Sequence, residues 1–395
     1  MKIVWISNIL NHHTSEVTDE LYRLLGNQFV FISLHEPTSF EDTKGSDPIT
    51  FLEKPYHIKY YQNKEMRVYC KELAETADVL IQQAAGDKFI RKRLKEKKLT
   101  IRISERIFKT NKMKTLRWAK YTIRNLPYRK NKNFIFLGAS AYASCDMKKC
   151  FSFPDRTFKW GYFPSVVIPK DLEKTESSEQ LEMIWVGRFL DWKHPELCIK
   201  IAEYMLERKQ RFHITMIGEG PELSKIKINV QKKDMQSLFT FTGKQTAEKV
   251  QESMRASDVF IFSSDQSEGW GAVLNESMGS GCIPIANFKA GSSTFLIKNK
   301  RNGFLYDEDN IQTLYLCLEE LISLNSTKRI EMKRQAKITI AEEWSPEKAT
   351  KNLLQLISAY KLKKTELIPD EGPASLALPF SEIDISQIEM NRGSL

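Results

Sequence analysis

Two glutamates, Glu268 and Glu276, lie in the run SEGWGAVLNESMGSGCIPI (267–285) with seven residues between them. Gly269 and Gly271 flank a tryptophan just after the first. A carboxylate accepts hydrogen bonds from neighbouring hydroxyls, the usual way a protein holds a sugar ring. From about Ala272 the sequence reads as a helix ending near Gly279 or Gly281, where glycine suits the left-handed cap. The first N–H groups of such a helix are unpaired and carry the positive end of its dipole, so phosphate or diphosphate is the natural guest. Gly269 and Gly271 let the backbone approach it closely. Carboxylates facing phosphate would be repelled. Glu276 is therefore expected to take a ribose diol, and Glu268 to reach hydroxyls on the other side of the phosphates. Ribose, diphosphate and hexose in that order make a nucleotide sugar.

Such a ligand needs cations, and VGRFLDWKHPE (186–196) offers Arg188 and Lys193, five residues apart after a strand end. Both can converge on a diphosphate. Neutralising a departing diphosphate is the main catalytic task in glycosyl transfer. A third strand end, MIGEGPE (216–222), carries Gly218 and Gly220. Gly218 either flanks the base or simply makes the turn into the next helix.

These loops need a scaffold with strands that end beside helices. Short apolar runs alternate with helical stretches along the chain: KIVWIS, FVFISL, DVLIQQ, TIRIS and FIFLGA in the first half, EMIWVG, FHITMIG, LFTFTG, DVFIFSS and CIPIANF in the second. Continuous apolar strands separated by helices predict parallel sheets covered on both faces. Two such series make two doubly wound α/β domains. In sheets of that kind, ligands bind beyond the carboxyl ends of the strands. The expected boundaries are 1–165 and 166–344, joined near the Pro-, Ser- and charge-rich stretch 164–180. Ser345 and Pro346 read as N-cap and first residue of a helix over 345–362. Residues 365–395 show no period and are read as a tail, either without regular structure or serving as a docking segment.

The chain of 395 residues is too long for one ordinary core and suits two domains. No stretch is long and apolar enough to span a bilayer, and the N-terminal apolar run is too short for a secretory signal. Six scattered cysteines without CxxC spacing favour reduced thiols in the cytoplasm over disulfides or zinc. The formal net charge is +10, and it is concentrated: between Lys88 and Lys132 stand eighteen Lys or Arg against Glu96 and Glu105 alone. Trp118, Tyr121, Ile123 and Leu126 interleave with these cations. A basic rim with aromatic and aliphatic faces suits an anionic membrane surface, reached peripherally from the cytoplasmic side. Nucleic acid lacks support, because no zinc-finger spacing, RNP-type strand or helix-turn-helix is present.

The run from Met183 to about Tyr306 resembles the donor domain of retaining GT-B glycosyltransferases, specifically glycosyltransferase family 4 (group 1). VGRFLDWKHPE, MIGEGPE, FTG, the Glu-x7-Glu element and AGSSTFLIKNKRNGFLY carry the likeness in the family's order. The resemblance implies two Rossmann-like domains facing across a cleft, with the acceptor bound by the first and the donor by the second. It implies that Glu268 holds sugar hydroxyls and Glu276 the ribose, while Arg188, Lys193 and the N–H groups around Gly271 to Val273 stabilise the diphosphate. Transfer would retain the anomeric configuration, with the leaving phosphate oxygen deprotonating the acceptor on the same face. It would need no metal and no cofactor beyond the sugar donor, with UDP ranked first as carrier and GDP next.

The first domain matches less well. SNILNHHTSEVTDEL replaces the glycine-rich loop of many relatives, and His13 there either reaches the reaction centre or is incidental. Glu105, in RISERIFK, either orients the acceptor or sugar or pairs with Arg106 at a strand end. SERIFK and WGYFP resemble runs in capsule and exopolysaccharide glycosyltransferases, which points to a glycan or lipid-linked acceptor in cell-surface polysaccharide synthesis. The competing readings are a non-catalytic binder of nucleotide sugar, anionic lipid or nucleic acid on the same fold, and a phosphorylase.

Overall fold

The computed structural model describes residues 1–37, 51–109, 113–166 and 180–377. The chain divides into two compact units, Met1–Ser165 with Glu343–Phe380, and Val166–Glu342. Most of the expected linker and residues 378–395 lie outside the described residues.

The first unit is built on a seven-stranded sheet, in the order β3-β2-β1-β4-β5-β6-β7. Its strands are β1 (Ile3–Ser7), β2 (Phe29–Ser33), β3 (His57–Lys59), β4 (Val79–Gln83), β5 (Thr100–Ser104), β6 (Phe134–Gly138) and β7 (Thr157–Lys159). Every pairing within it is parallel. The second unit has six strands in the order β10-β9-β8-β11-β12-β13, again all parallel. These are β8 (Leu181–Val186), β9 (Phe212–Ile217), β10 (Phe239–Gly243), β11 (Val259–Phe262), β12 (Ile283–Asn287) and β13 (Phe304–Tyr306). β1, β6 and β12 are buried along their whole length, as strands covered by helices on both faces must be.

Each sheet reverses its strand order once, between β1 and β4 and between β8 and β11. At such a point two neighbouring strands send their following loops apart, which opens a crevice at their carboxyl ends. In the second unit the two loops concerned are 187–196 and 263–272, the segments that carry Arg188, Lys193 and Glu268.

The Pro346–Leu362 helix belongs to the first unit. The Ser345 hydroxyl caps it by accepting from the Lys348 N–H, 3.1 Å away. It lies against the Ser15–Leu25 helix, where the Thr350 hydroxyl donates to the Val17 carbonyl. Of the two expectations for the segment that follows, residues 371–377 fit docking and not an unstructured tail. Residues 374–377 run antiparallel beside β7: Lys159 N–H donates to Ser375 O at 2.8 Å, and Ala377 N–H to Thr157 O at 2.9 Å. Asn352 of the helix donates to the carbonyls of Glu371 and Pro373. The segment thus covers the exposed edge of the sheet, a position that backbone pairing stabilises without any hydrophobic period.

Candidate functional site

The sequence DVFIFSS places β11 at the centre of its sheet, and its end delivers Ser263 beneath the neighbouring loop. The Ser263 hydroxyl accepts from Trp185 Nε1 at 2.9 Å and donates to the Lys193 carbonyl at 2.6 Å. Asp265 N–H donates to the Trp192 carbonyl at 3.0 Å. These bonds stitch the loop after β8 to the loop after β11 and fix the backbone of Lys193. Its ammonium then donates to the Glu268 carboxylate. The two side chains are 13% and 12% exposed, so each charge depends on the other for compensation. The Lys193 ammonium also stands 4.7 Å from the Trp192 ring centroid, a favourable cation–π distance.

The same stitching creates a cation that sequence reasoning missed. His194 adopts a left-handed backbone, φ 47°, after the short turn Asp191–Lys193. Its ring is 3.7 Å from the Asp265 carboxylate and 2.8 Å from that of Glu196. Asp265 and Glu196 raise the imidazole pKa to about 10, so His194 is charged at neutral pH. Asp265 itself receives the Ser267 N–H at 2.6 Å, which turns the chain towards Glu268. The signal was present, since His194 follows Lys193 directly and Asp265 precedes Glu268 by three residues, but nothing in either loop announces the pairing.

Gly271 has φ +88°, and a Cβ there would sit 2.4 Å from the Phe262 ring. This backbone leads into the Val273–Ser280 helix, which ends on left-handed Gly281 as its sequence predicts. Trp270 is buried and donates from Nε1 to Asn275 Oδ1, which packs the loop on the helix. Ala272 is the N-cap, and Glu276 lies one turn inside, half-buried, with its N–H on the Ala272 carbonyl. Gly269 is buried, and Val273 opens the helix. Arg188 is exposed and makes no side-chain hydrogen bond or ion pair among the described residues. Gly218 has a packing reason of its own: at φ +132°, a Cβ there would fall 1.9 Å from the Gly187 carbonyl oxygen. The loops after β8 and β9 touch through their backbones at that point.

In the first unit, the structure links His13 and Glu105 through a third residue. The His13 ring stacks on Tyr162 with centroids 4.5 Å apart, and the Tyr162 hydroxyl donates to Glu105 at 2.5 Å. Lys109 completes the arrangement by pairing with Glu105. Glu105 therefore does not pair with Arg106. Arg106 turns instead to buried Asp146, 3.8 Å away, and lies over the Tyr142 ring. Burial raises the Asp146 pKa, with Arg106 opposing the rise. Of the interleaved aromatic and aliphatic residues, Trp118, Ile123 and Leu126 are exposed, whereas Tyr121 is half-buried and lines a cavity. All six cysteines are free thiols. Among the described residues, no group of three or more His, Cys, Asp or Glu is placed to hold a metal ion, and no helix is long and apolar enough to cross a membrane.

A chemical reading of the second unit follows from this geometry. One end of the sheet presents a cation beside a carboxylate, a second carboxylate on the following helix, and the positive end of that helix. Diphosphate and hydroxyl groups can be held there side by side without a bare carboxylate facing phosphate.

Known proteins resemble the chain in the sequence of its second unit and in fold. Residues 167–339 match the family model described as glycosyl transferases group 1. An uncharacterised glycosyltransferase of Methanocaldococcus jannaschii is 26% identical over 179 residues, 45% of each chain. The poly(ribitol-phosphate) α-N-acetylglucosaminyltransferase of Staphylococcus aureus is 26% identical over 176 residues, 44% of this chain and 34% of that one. The chain thus spans half or less of the curated relatives it matches. Among solved structures, HepE of Anabaena in complex with UDP superposes over 91% of this chain and 100% of its own, with a TM-score of 0.66 at 13% identity. The chain has the GT-B fold, and its second unit matches the group 1 glycosyl transferases over residues 167–339.

Proposed function

We propose that the protein is a retaining glycosyltransferase that moves a hexosyl unit from a nucleoside diphosphate sugar to a glycan or lipid-linked acceptor in cell-surface polysaccharide synthesis. The observation that carries this reading is the Lys193–Glu268 pair, held between the loops that follow β8 and β11. Glu276 takes the ribose diol, and Glu268 takes hydroxyls of the sugar while Lys193 keeps its charge from repelling the diphosphate. Arg188, Lys193 and the N–H groups from Gly271 to Val273 neutralise the diphosphate as it leaves. The bond from the anomeric carbon to the phosphate oxygen breaks, and the bond to the acceptor oxygen forms on the same face. The acceptor proton passes to the leaving phosphate oxygen, so the reaction calls for no metal. UDP is the preferred carrier, a choice supported by the UDP bound to the Anabaena neighbour.

The first unit binds the acceptor in this scheme and docks on an anionic membrane surface. The support is the Lys114–Asn125 helix and the residue after it. There Leu116, Ile123 and Leu126 are 62%, 70% and 58% exposed. Apolar side chains set among basic residues in this way suit the headgroup layer. Equal sedimentation with neutral and anionic vesicles at low salt would remove the membrane from the scheme.

Release of nucleoside diphosphate from a panel of UDP- and GDP-sugars tests the activity. Glu268→Gln should lower kcat about 100-fold while changing affinity for the bare nucleotide much less, because its partner is the sugar. A non-catalytic binder would show nucleotide affinity with no turnover of any donor.

A further inference from the structure

The first unit contains a cavity of about 490 Å³ beyond the carboxyl ends of β4 and β5, walled on one side by the Lys114–Asn125 helix. Four cations line it, Arg106, Lys109, Arg117 and Lys120, and Glu105 is the one acid among its described lining residues. Arg106 is the deepest of these observations. Its side chain is only 10% exposed, yet its Nε is buried without a hydrogen-bond partner. Asp146 Oδ2, which receives the Ile107 and Phe108 N–H groups at 2.8 and 3.1 Å, stands 3.8 Å from it, beyond hydrogen-bond reach. A guanidinium this deeply buried, with its nearest carboxylate 3.8 Å away, is costly unless a further anion compensates its charge.

The surroundings deepen the positive field. A second cavity, about 190 Å³, shares Ser104, Ile107 and Tyr121 with the first and adds Arg102 and Arg124. Those two guanidiniums share the single carboxylate of Asp87. Around the two cavities, six cations therefore face three carboxylates, and the low-dielectric walls focus the excess. A solvated basic surface would place its cations in water and leave no buried donor behind.

We propose that this cavity binds a phosphate or diphosphate ester, the anionic part of the acceptor. The inference rests on the glycosyltransferase reading for the word acceptor alone; the anion site stands on the cavity itself. Arg106, Arg117 and Lys120 hold the phosphate oxygens through charge-assisted hydrogen bonds. Glu105, already held by Lys109 and Tyr162, faces a hydroxyl of the same ligand rather than its phosphate. Two sources share this chemistry, a phosphorylated glycan and a phospholipid-type headgroup.

The test uses the full chain saturated with UDP, so that any nucleotide site is filled, and titrates inorganic pyrophosphate calorimetrically. Pyrophosphate should bind beside UDP, and its affinity should fall at least tenfold in Arg106→Gln and in the double variant Arg117→Gln/Lys120→Gln. Arg91→Gln, which removes an exposed cation outside the cavity, should leave it unchanged. Because the double variant alters the partly exposed rim, it tests the site even where Arg106→Gln fails to fold. Binding that vanishes when UDP is present, or that falls equally in Arg91→Gln and the double variant, would overturn the proposal. Displacement of pyrophosphate by phosphatidylglycerol vesicles, and not by phosphatidylcholine vesicles, supports the site with a lipid headgroup as the source. Pyrophosphate that stays bound beside the vesicles supports it with a phosphorylated glycan. A chain that binds pyrophosphate but no nucleotide breaks the nucleotide-sugar reading and leaves the anion site standing.

Discussion

The second unit balances its charges in pairs, whereas the first leaves an excess of one sign. After β8 and β11, Lys193 meets Glu268 and His194 meets both Asp265 and Glu196. Around the ends of β4 and β5, Arg102 and Arg124 divide one Asp87, and Arg106 keeps an unpartnered Nε beside Asp146. A ligand that carries both hydroxyls and phosphates needs carboxylates and cations together, each offsetting the other's field. A ligand that is mainly an anion needs cations in excess. The two units share a fold plan, so the difference lies in what their loops hold.

The largest expected effect breaks the comparison at the backbone. Gly218→Ala places a Cβ against the Gly187 carbonyl at a positive φ. It should destabilise the second unit by about 3–5 kcal/mol in urea unfolding. Gly86→Ala, in the loop after β4, puts a Cβ into open space at an ordinary backbone angle. It should change stability by less than about 1 kcal/mol. Equal effects would mean that the loops of both units are packed alike.

Two histidines sharpen the comparison through pH. His194 has its folded pKa raised to about 10, so its contribution to stability is complete below about 6.5 and is lost as pH rises through about 10. His57, in β3 beside Ser33, is held neutral by burial, with its pKa lowered to about 4. There the sign reverses: the unfolded chain binds the proton more readily, so stability falls as pH drops from about 6.5 towards 4. Melting curves of His194→Gln and the parent protein should converge near pH 10 to 11. Those of His57→Gln should change least between pH 4 and 6.5. NMR titration of the two rings checks both directions.

The smallest effect concerns the segment that caps β7. Asn352→Ala removes two side-chain bonds to the carbonyls of Glu371 and Pro373. The loss should cost about 1–2 kcal/mol. It should also hasten cleavage of the segment by protease, which reads local opening. No change in proteolysis would show that the strand pairing alone holds it.

Much of this architecture could be read from the residues, and the exceptions have physical reasons. Ten strands announce themselves as continuous apolar runs because parallel sheets bury both faces. β3, β7 and β13 do not, since each is three residues long and sits at a sheet edge, too short to display any period. Residues 371–377 were illegible for a related reason: backbone bonds and Asn352 hold them, and neither leaves a hydrophobic signature. In the second unit Lys193, Glu268 and Glu276 stood out because each follows or opens an element in a short motif. Their partnerships did not, because Lys193 and Glu268 are separated by 75 positions. The first unit was harder still. His13, Glu105 and Tyr162 come from three distant loops, and only the strand order brings them together.

In the function proposed, the loop after β11 and the helix behind it hold a nucleoside diphosphate through Glu276. Calorimetric titration of the full chain with UDP, GDP, ADP and CMP, repeated on Glu276→Ala, tests it most directly. One diphosphate should bind selectively, with UDP first, and the variant should lose about 1–3 kcal/mol of binding as the ribose loses its acceptor. No nucleotide binding, or equal binding by the parent and the variant, would contradict it.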